Sequence, residues 1–149
     1  MASSSRAIAS ILSLIALVSL LIATVVSIPI ATPSYLPSGD YLRPGGFFSR
    51  SGFTLTMRDE DCNIVLTSPH SYQIWQSNNT EGGKGCRAGL EYHGSLVILN
   101  RENEDVWNSD NNRKGTYPFK VIINVKDGAV EIRDKFYDIV WSSKYHIKR

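Results

Sequence analysis

The strings IWQSNN at residues 74–79, VWNSDN at 106–111 and VWSSKY at 140–145 contain all three tryptophans of the chain. In each string a β-branched residue precedes the tryptophan, and a serine follows it two positions later. The tryptophans, Trp75, Trp107 and Trp141, stand 32 and 34 residues apart. A phrase repeated at this period indicates that one supersecondary unit has been duplicated along the chain.

Three units of 17 residues end at these tryptophans and align without a gap, as DEDCNIVLTSPHSYQIW, EYHGSLVILNRENEDVW and VKDGAVEIRDKFYDIVW. Apolar residues alternate in the middle of each unit, and a period of two predicts a strand. A second β-rich run precedes each of these strands, at 53–57, 87–92 and 119–125. The alternation predicts that six residues of the first-mentioned strands face the core: Ile64, Leu66, Leu96, Ile98, Val130 and Ile132. The residues that alternate with them are predicted to face outward or into a groove.

The mature chain shows no capped helical stripe, so we predict a nearly all-β domain in which three sheets share one core around an axis. The tryptophans are predicted to meet at that core, and the serine that follows each of them is predicted to bind its indole N–H. The alternative is an exposed platform on which sugars stack. Identical spacing in all three units favours packing.

Residues 1–27 read as a secretory signal peptide, because Arg6 precedes an apolar run that ends at the small residue Ser27. The same run has the length of an uncleaved membrane anchor. Cleavage leaves a single domain, residues 28–149, that is secreted or vacuolar. This part carries 15 basic and 14 acidic side chains, a balance that favours neither nucleic acid nor a membrane as partner.

Two further features agree with export. The two cysteines, Cys62 and Cys86, are predicted to form a disulfide, because thiols oxidise in the secretory pathway. Asn78 begins an Asn-Asn-Thr sequence, which is an acceptor for N-glycosylation.

The sequence resembles the monocot mannose-binding lectins, also called bulb-type or snowdrop-type lectins. The resemblance rests on LPSGDYL at 36–42, DCNIVL at 61–66, IWQSN at 74–78 and the cysteine spacing. It implies a β-prism II fold with three four-stranded antiparallel sheets, and homo- or heterodimers formed partly by exchange of C-terminal strands. It also implies metal-free binding of mannose-type glycans without any cofactor, and a role in plant defence.

The family motif Q-x-D-x-N-x-V-x-Y falls in the first unit on Asp59, Asp61, Asn63, Val65 and Thr67. Alternation along a strand would place such side chains about 7 Å apart in successive pairs, close to the size of a pyranose ring. The resemblance implies that Asp61 and Asn63 hold the O2 of mannose and that Val65 packs on the ring. Asp59 and Thr67 replace the glutamine and the tyrosine, and the paired carboxylates are weak evidence for a cation.

The other two units match the motif at one position each, a valine in the second and an aspartate in the third. Their residues are Glu91, His93, Ser95, Val97, Leu99 and then Val125, Asp127, Ala129, Glu131, Arg133. The chain is therefore predicted to be a lectin with at most one working pocket. The alternative is a lectin-like interaction protein or heterodimer subunit that has lost its sugar. No nucleophile or metal motif of an enzyme is present.

Overall fold

The fold is described from a computed structural model, in which the described residues are 33–80, 83–111 and 114–145. These residues form twelve strands in three four-stranded antiparallel sheets, with one short 3-10 turn at Ser143–Tyr145. The prediction of an all-β fold built from three sheets is confirmed. The predicted signal peptide, residues 1–27, lies outside the described residues.

Each 17-residue unit, together with the β-rich run that precedes it, supplies three consecutive strands of one sheet. The first sheet contains β3 (Phe47–Arg50), β4 (Phe53–Met57), β5 (Ile64–Thr67) and β6 (Gln73–Gln76). The second contains β2 (Tyr41–Leu42), β7 (Arg87–Leu90), β8 (Leu96–Leu99) and β9 (Asp105–Asn108). The third contains β1 (Tyr35–Pro37), β10 (Lys120–Asn124), β11 (Ala129–Arg133) and β12 (Ile139–Ser142).

The fourth strand of each sheet comes from residues 35–50, ahead of the repeats. There β1 pairs with β10, β2 with β7 and β3 with β4, so one segment visits all three sheets in turn. Each visit contributes an exposed aromatic residue followed by a buried apolar one, in the pairs Tyr35-Leu36, Tyr41-Leu42 and Phe47-Phe48. Within the described residues, all four strands of each of the three sheets therefore come from this chain.

The three tryptophans meet at the axis, as predicted. Their ring centroids lie 5.9 to 6.2 Å apart in all three pairs, and the interplanar angles of 67°, 71° and 82° are edge-to-face. Trp141 is buried, whereas Trp75 and Trp107 are partly buried against the core. Edge-to-face contacts favour such a triangle, since they bring the positive edge of one ring to the negative face of the next.

The serine two positions after each tryptophan does not bind the predicted indole N–H but a backbone N–H. Its hydroxyl accepts a hydrogen bond from a backbone N–H of the neighbouring strand, which is β5, β8 or β11 and is called the middle strand below. The donor is the first or second residue of that strand. The three bonds are Ile64 N–H to Ser77 at 3.1 Å, Leu96 N–H to Ser109 at 2.9 Å and Val130 N–H to Ser143 at 2.9 Å. The repeated serine therefore fastens the tryptophan strand to the middle strand in every sheet.

The middle strands, β5, β8 and β11, are buried on both faces, whereas alternation predicts burial of one face only. The six residues predicted to face the core are at most 1% exposed, but Val65, Val97 and Glu131 on the opposite face are also buried. A disulfide joins Cys62, just before β5, to Cys86, just before β7, and the predicted pairing is confirmed. Such a crosslink, closing a loop of 24 residues, stabilises a fold by roughly 3 kcal/mol.

Candidate functional site

The predicted site residues of the first unit do not lie along one strand. Strand β4 ends at Met57 and β5 begins at Ile64, so Asp59 and Asp61 lie in the turn between them. Cys62 adopts a positive φ of 55°, which breaks the alternation of an extended chain. The prediction that all five residues share one strand face is wrong for the residues before Ile64, and only Val65 and Thr67 occupy the strand.

Asp61 is held by an arginine that the motif does not include. Arg58 Nε lies 2.8 Å from Asp61 Oδ1, and Arg58 Nη2 binds Asp61 Oδ2. These bonds lower the pKa of the Asp61 carboxyl below its ordinary value, and they raise the pKa of Arg58. The Asp61 side chain is 38% exposed, so the paired carboxylate remains open to solvent.

Asn63 is committed to the fold. Its Oδ1 accepts hydrogen bonds from Ser77 Oγ at 2.9 Å and from the Asn79 backbone N–H at 2.7 Å. Its Nδ2 donates to the carbonyl oxygens of Asp61 and Asn79, both at 3.2 Å. The residue is 4% exposed. Because an amide has two acceptor and two donor positions, Asn63 is satisfied by the protein alone.

The remaining motif positions also have partners in the protein. Asp59 Oδ1 accepts from the Gly85 backbone N–H at 2.9 Å, which adds a hydrogen bond between the two loops that the disulfide joins. Thr67 Oγ1 donates to the Thr54 carbonyl at 3.3 Å. Val65 is 5% exposed and lies in register between Thr56 on β4 and Gln76 on β6.

A group of polar side chains spans this outer face, and we name it the first-sheet cluster: Arg58, Asp61, Gln73 and Gln76. Arg58 Nη1 lies 3.4 Å from Gln73 Oε1, and Arg58 Nη2 lies 3.2 Å from Gln76 Oε1. Gln73 Nε2 donates to Gln76 Oε1 at 3.2 Å. The guanidinium thus reaches from the turn to β6, across the stretch that carries Val65.

Three residues of the first-sheet cluster lie outside the sequence motif, namely Arg58, Gln73 and Gln76. Arg58 stands one position before the motif, where alternation would turn it to the opposite face, and the two glutamines belong to the tryptophan strand. A signal for Gln76 was present in the sequence, since a polar residue follows each of the three tryptophans, namely Gln76, Asn108 and Ser142. The register places these residues beside Val65, Val97 and Glu131.

The outer face of the second sheet is filled by its own side chains. A Cβ on Gly89 would lie 2.2 Å from the Tyr41 ring, so that ring rests directly on the Gly89 backbone. The Arg87 guanidinium lies 5.0 Å from the centroid of the same ring. Val97, the one match to the motif, is 0% exposed. The Tyr41 ring and the Arg87 side chain therefore occupy this part of the second sheet.

The third sheet has replaced the motif valine by a buried ion pair. Glu131 is 2% exposed, and its Oε2 accepts from Arg133 Nε at 2.9 Å and Nη2 at 2.7 Å. Asp127, the one match to the motif, is paired with Lys144 Nζ at 3.0 Å, which lowers the pKa of Asp127. Both residues are therefore engaged in ion pairs within the protein.

Residues 33–80, 83–111 and 114–145 contain no group of three or more histidine, cysteine, aspartate or glutamate side chains arranged to hold a metal ion. Over the same ranges, no helix has both the length and the apolar character to cross a membrane.

Known proteins with similar sequences include several mannose-specific lectins. The chain is 32% identical over 97 residues to a mannose-specific lectin of Aloe arborescens, and the match covers 65% of this chain and 86% of that lectin. It is 40% identical over 76 residues to mannose-specific lectin TAR1 of Colocasia esculenta, which covers 51% of this chain. The chain spans only 31% of the length of TAR1. No family model matches the chain.

The solved structures with this architecture agree. A monomeric monocot mannose-binding lectin of Gastrodia elata superposes with a TM-score of 0.65 at 26% identity, covering 74% of this chain and 96% of that one. The snowdrop (Galanthus nivalis) agglutinin complexed with methyl-α-D-mannoside gives 0.60 at 29% identity, with 69% and 91% covered. The fold is therefore the β-prism II fold of the snowdrop-type proteins. The chain belongs to the family of monocot mannose-binding lectins.

Proposed function

We propose that this protein is a carbohydrate-binding lectin that binds mannose-type glycans at the first-sheet cluster. The observation that carries the proposal is the convergence of Arg58, Asp61, Gln73 and Gln76 on one solvent-facing patch of a lectin fold. Mannose specificity is proposed from the relatives, which are named mannose-specific lectins.

The chemistry of the cluster suits neighbouring hydroxyl groups. A guanidinium offers donors only, a carboxylate accepts, and a glutamine amide does both, so together they can satisfy hydroxyls that give and take hydrogen bonds. The Arg58 and Asp61 side chains are 28% and 38% exposed, so a ligand can reach them. The contacts between Arg58 and the glutamines are long, at 3.4 Å to Gln73 and 3.2 Å to Gln76, and the first is exposed and the second part-buried, so sugar hydroxyls can replace them.

The face around the cluster extends the site. Ser49, Thr54 and Thr67 stand opposite one another on β3, β4 and β5, and Ser49 Oγ lies 2.9 Å from Thr54 Oγ1. Phe47, which is 50% exposed, flanks Thr56 on the edge strand. A row of hydroxyls beside an aromatic edge offers contacts for a second sugar unit. We therefore expect a mannose-terminated oligosaccharide to bind more tightly than mannose alone.

The test is calorimetric titration with mannose and with a mannose-terminated oligosaccharide. The informative variant is Gln76→Ala, because Asn63→Ala would remove four internal hydrogen bonds and would report mainly on folding. The matched control is Asn108→Ala, which changes the exposed polar residue at the same position of the second sheet. We expect Gln76→Ala to weaken binding about fivefold to tenfold, since a hydrogen bond contributes about 1 kcal/mol, and the control to have no effect.

The second candidate is a lectin-like interaction protein without a sugar ligand. It is favoured by one observation, the satisfaction of Asn63 and Asp61 by groups of the protein itself. A folded wild-type protein that gives no heat with either saccharide would support this candidate and refute the lectin proposal.

Export from the cell is proposed from residues 1–27, with a secreted or vacuolar mature protein. The exposure of Asn78 supports its use as a glycosylation site, since an acceptor must be reachable. Mass spectrometry of the protein from its native tissue tests both points. A mature chain that begins near residue 28 and carries a glycan on Asn78 is the expected result.

Dimerisation by exchange of C-terminal strands is proposed from the family resemblance alone. In the structure β12 pairs with β11 of the same chain, and the similar proteins from Gastrodia elata are described as monomeric. Sedimentation equilibrium at micromolar concentration decides between one chain and two.

A further inference from the structure

A pocket of about 290 Å³ opens on the outer face of the third sheet. Its walls are Arg50, Ile122, Asn124, Val125, Lys126, Arg133 and Tyr137. This volume is close to the lower limit of about 300 Å³ for small-molecule sites, so the pocket can take only a small ligand or one unit of a larger one. The pocket is separate from the first-sheet cluster and shares none of its residues.

The buried Glu131 does not line the pocket, but it holds two residues that do, Asn124 and Arg133. Its two carboxylate oxygens bind Arg133 on one side and Asn124 Nδ2, at 2.7 Å, on the other. Asn124 Oδ1 in turn accepts the backbone N–H groups of Lys126 and Asp127 at 3.1 and 3.3 Å. The charge that replaces the motif valine is therefore neutralised by Arg133 and used to shape the adjacent turn.

The rim of the pocket is positively charged. Arg50 and Lys126 have no carboxylate within ion-pair distance among the described residues, and Arg50 is oriented by a bond of 3.4 Å to the Ile123 carbonyl. Lys120 Nζ lies 3.6 Å from the centroid of the Tyr137 ring, and this ammonium lowers the pKa of the Tyr137 hydroxyl. Arg50 and Lys126, which have no carboxylate partner among the described residues, thus line a pocket that also has apolar lining residues.

We propose that the third-sheet pocket binds a carboxylate-bearing sugar, a hexuronate unit of an acidic polysaccharide, through Arg50 and Lys126. A planar guanidinium matches the two oxygens of a carboxylate, and an ammonium adds a point charge beside it. Ile122, Val125 and the Tyr137 ring supply the apolar wall against which a pyranose ring packs. A bare inorganic anion would use the cations and leave this wall uncovered.

The direct test is calorimetric titration of the disulfide-bonded protein with trigalacturonate. Its fully methyl-esterified form is the matched neutral ligand, with the same rings and no carboxylate charge. We expect the ester to bind at least tenfold more weakly than the acid. The methyl resonances of Ile122 and Val125 should shift on addition of the acid, which places the ligand in the pocket without any substitution.

The variant Arg50→Gln with Lys126→Gln should weaken trigalacturonate binding at least tenfold. The control is Arg43→Gln with Lys84→Gln, which removes the same charge from two exposed residues outside the pocket and should change binding less than twofold. Binding of the mannose-terminated oligosaccharide should stay the same in both, because the first-sheet cluster is intact. This readout separates the two proposals, since either can fail while the other holds.

Three results would overturn the inference. An equal loss in both double variants would show nonspecific charge attraction. Competition by acetate or sulfate at the same charge concentration, as effective as the trimer, would show a simple anion site. No heat and no methyl shifts with trigalacturonate would show that the pocket takes no hexuronate.

Discussion

The Arg58 guanidinium binds both carboxylate oxygens of Asp61, with Nε 2.8 Å from Oδ1, and thereby connects the turn after β4 to the glutamines of β6. Without Arg58, the carboxylate at this motif position would offer hydrogen-bond acceptors only. Here it presents a paired charge, in which the arginine adds donors to the acceptors of the carboxylate. The site is therefore chemically richer in donors than the motif alone implies.

The first prediction concerns the pKa of Asp61. Arg58→Gln removes the main cause of its depression, so the pKa of Asp61 should rise toward the ordinary aspartate value. A carboxyl-detected NMR titration of wild type and variant measures this change. Glu60→Gln is the control, because the Glu60 side chain is 73% exposed and its carboxylate comes no closer than 3.9 Å to Arg58 Nε.

The same pair sets the sign of a pH effect on stability. A carboxyl whose pKa is lowered in the folded state adds stability that is present above its unfolded pKa and is lost as pH falls through the folded pKa. Near neutral pH, the free energy of unfolding of the Arg58→Gln variant should therefore be lower than that of the wild type by about 0–1 kcal/mol, as for an exposed pair. Identical Asp61 titrations in both proteins would contradict the pairing.

The second prediction concerns the repeated serine. Ser77→Ala removes the acceptor of the Ile64 N–H and a donor to Asn63, both buried, and should reduce the free energy of unfolding by about 1–3 kcal/mol. Ser34→Ala, at an exposed position, should change it by less than about 0.5 kcal/mol. Denaturant unfolding measures both, and equal midpoints would show that the serine does not fasten the strands.

The third prediction concerns the tryptophan triangle. Trp141 is 5% exposed and contacts both other indoles, so Trp141→Ala should reduce the free energy of unfolding by about 3–5 kcal/mol. Tyr72→Ala is the aromatic control, because Tyr72 is 73% exposed. The near-ultraviolet dichroism of the remaining indoles should also weaken. If the Trp141 variant were as stable as the Tyr72 variant, the tryptophan triangle would not contribute to the stability of the core.

The repeat could be predicted because it is written in local sequence. Tryptophan spacing and period-two alternation together indicate strands that share an axis, and the structure places the indoles 5.9 to 6.2 Å apart. The N-terminal strands were harder to predict, since each is only two to four residues long. Their signal was an aromatic-apolar pair at six-residue spacing, which becomes meaningful only when three sheets each lack an edge strand.

The site could be predicted only in part, for a physical reason. Alternation fixes the direction of a side chain only while the backbone stays extended, and the chain turns between Met57 and Ile64. Arg58 therefore reaches a face that its position in the sequence does not assign to it. Burial of Glu131 was equally hidden, because a charged residue enters a core only with a partner, and that partner, Arg133, is recognisable only in the fold.

The central claim is that the first-sheet cluster binds the saccharide, and side-chain NMR with a mannose-terminated oligosaccharide tests it most directly. The account predicts that the Arg58 Nε–H and the side-chain amides of Gln73 and Gln76 shift on titration, whereas the side-chain amide of Asn108 does not. Shifts at Asn108 with none at the two glutamines, or no shifts at all in a folded protein, would contradict it.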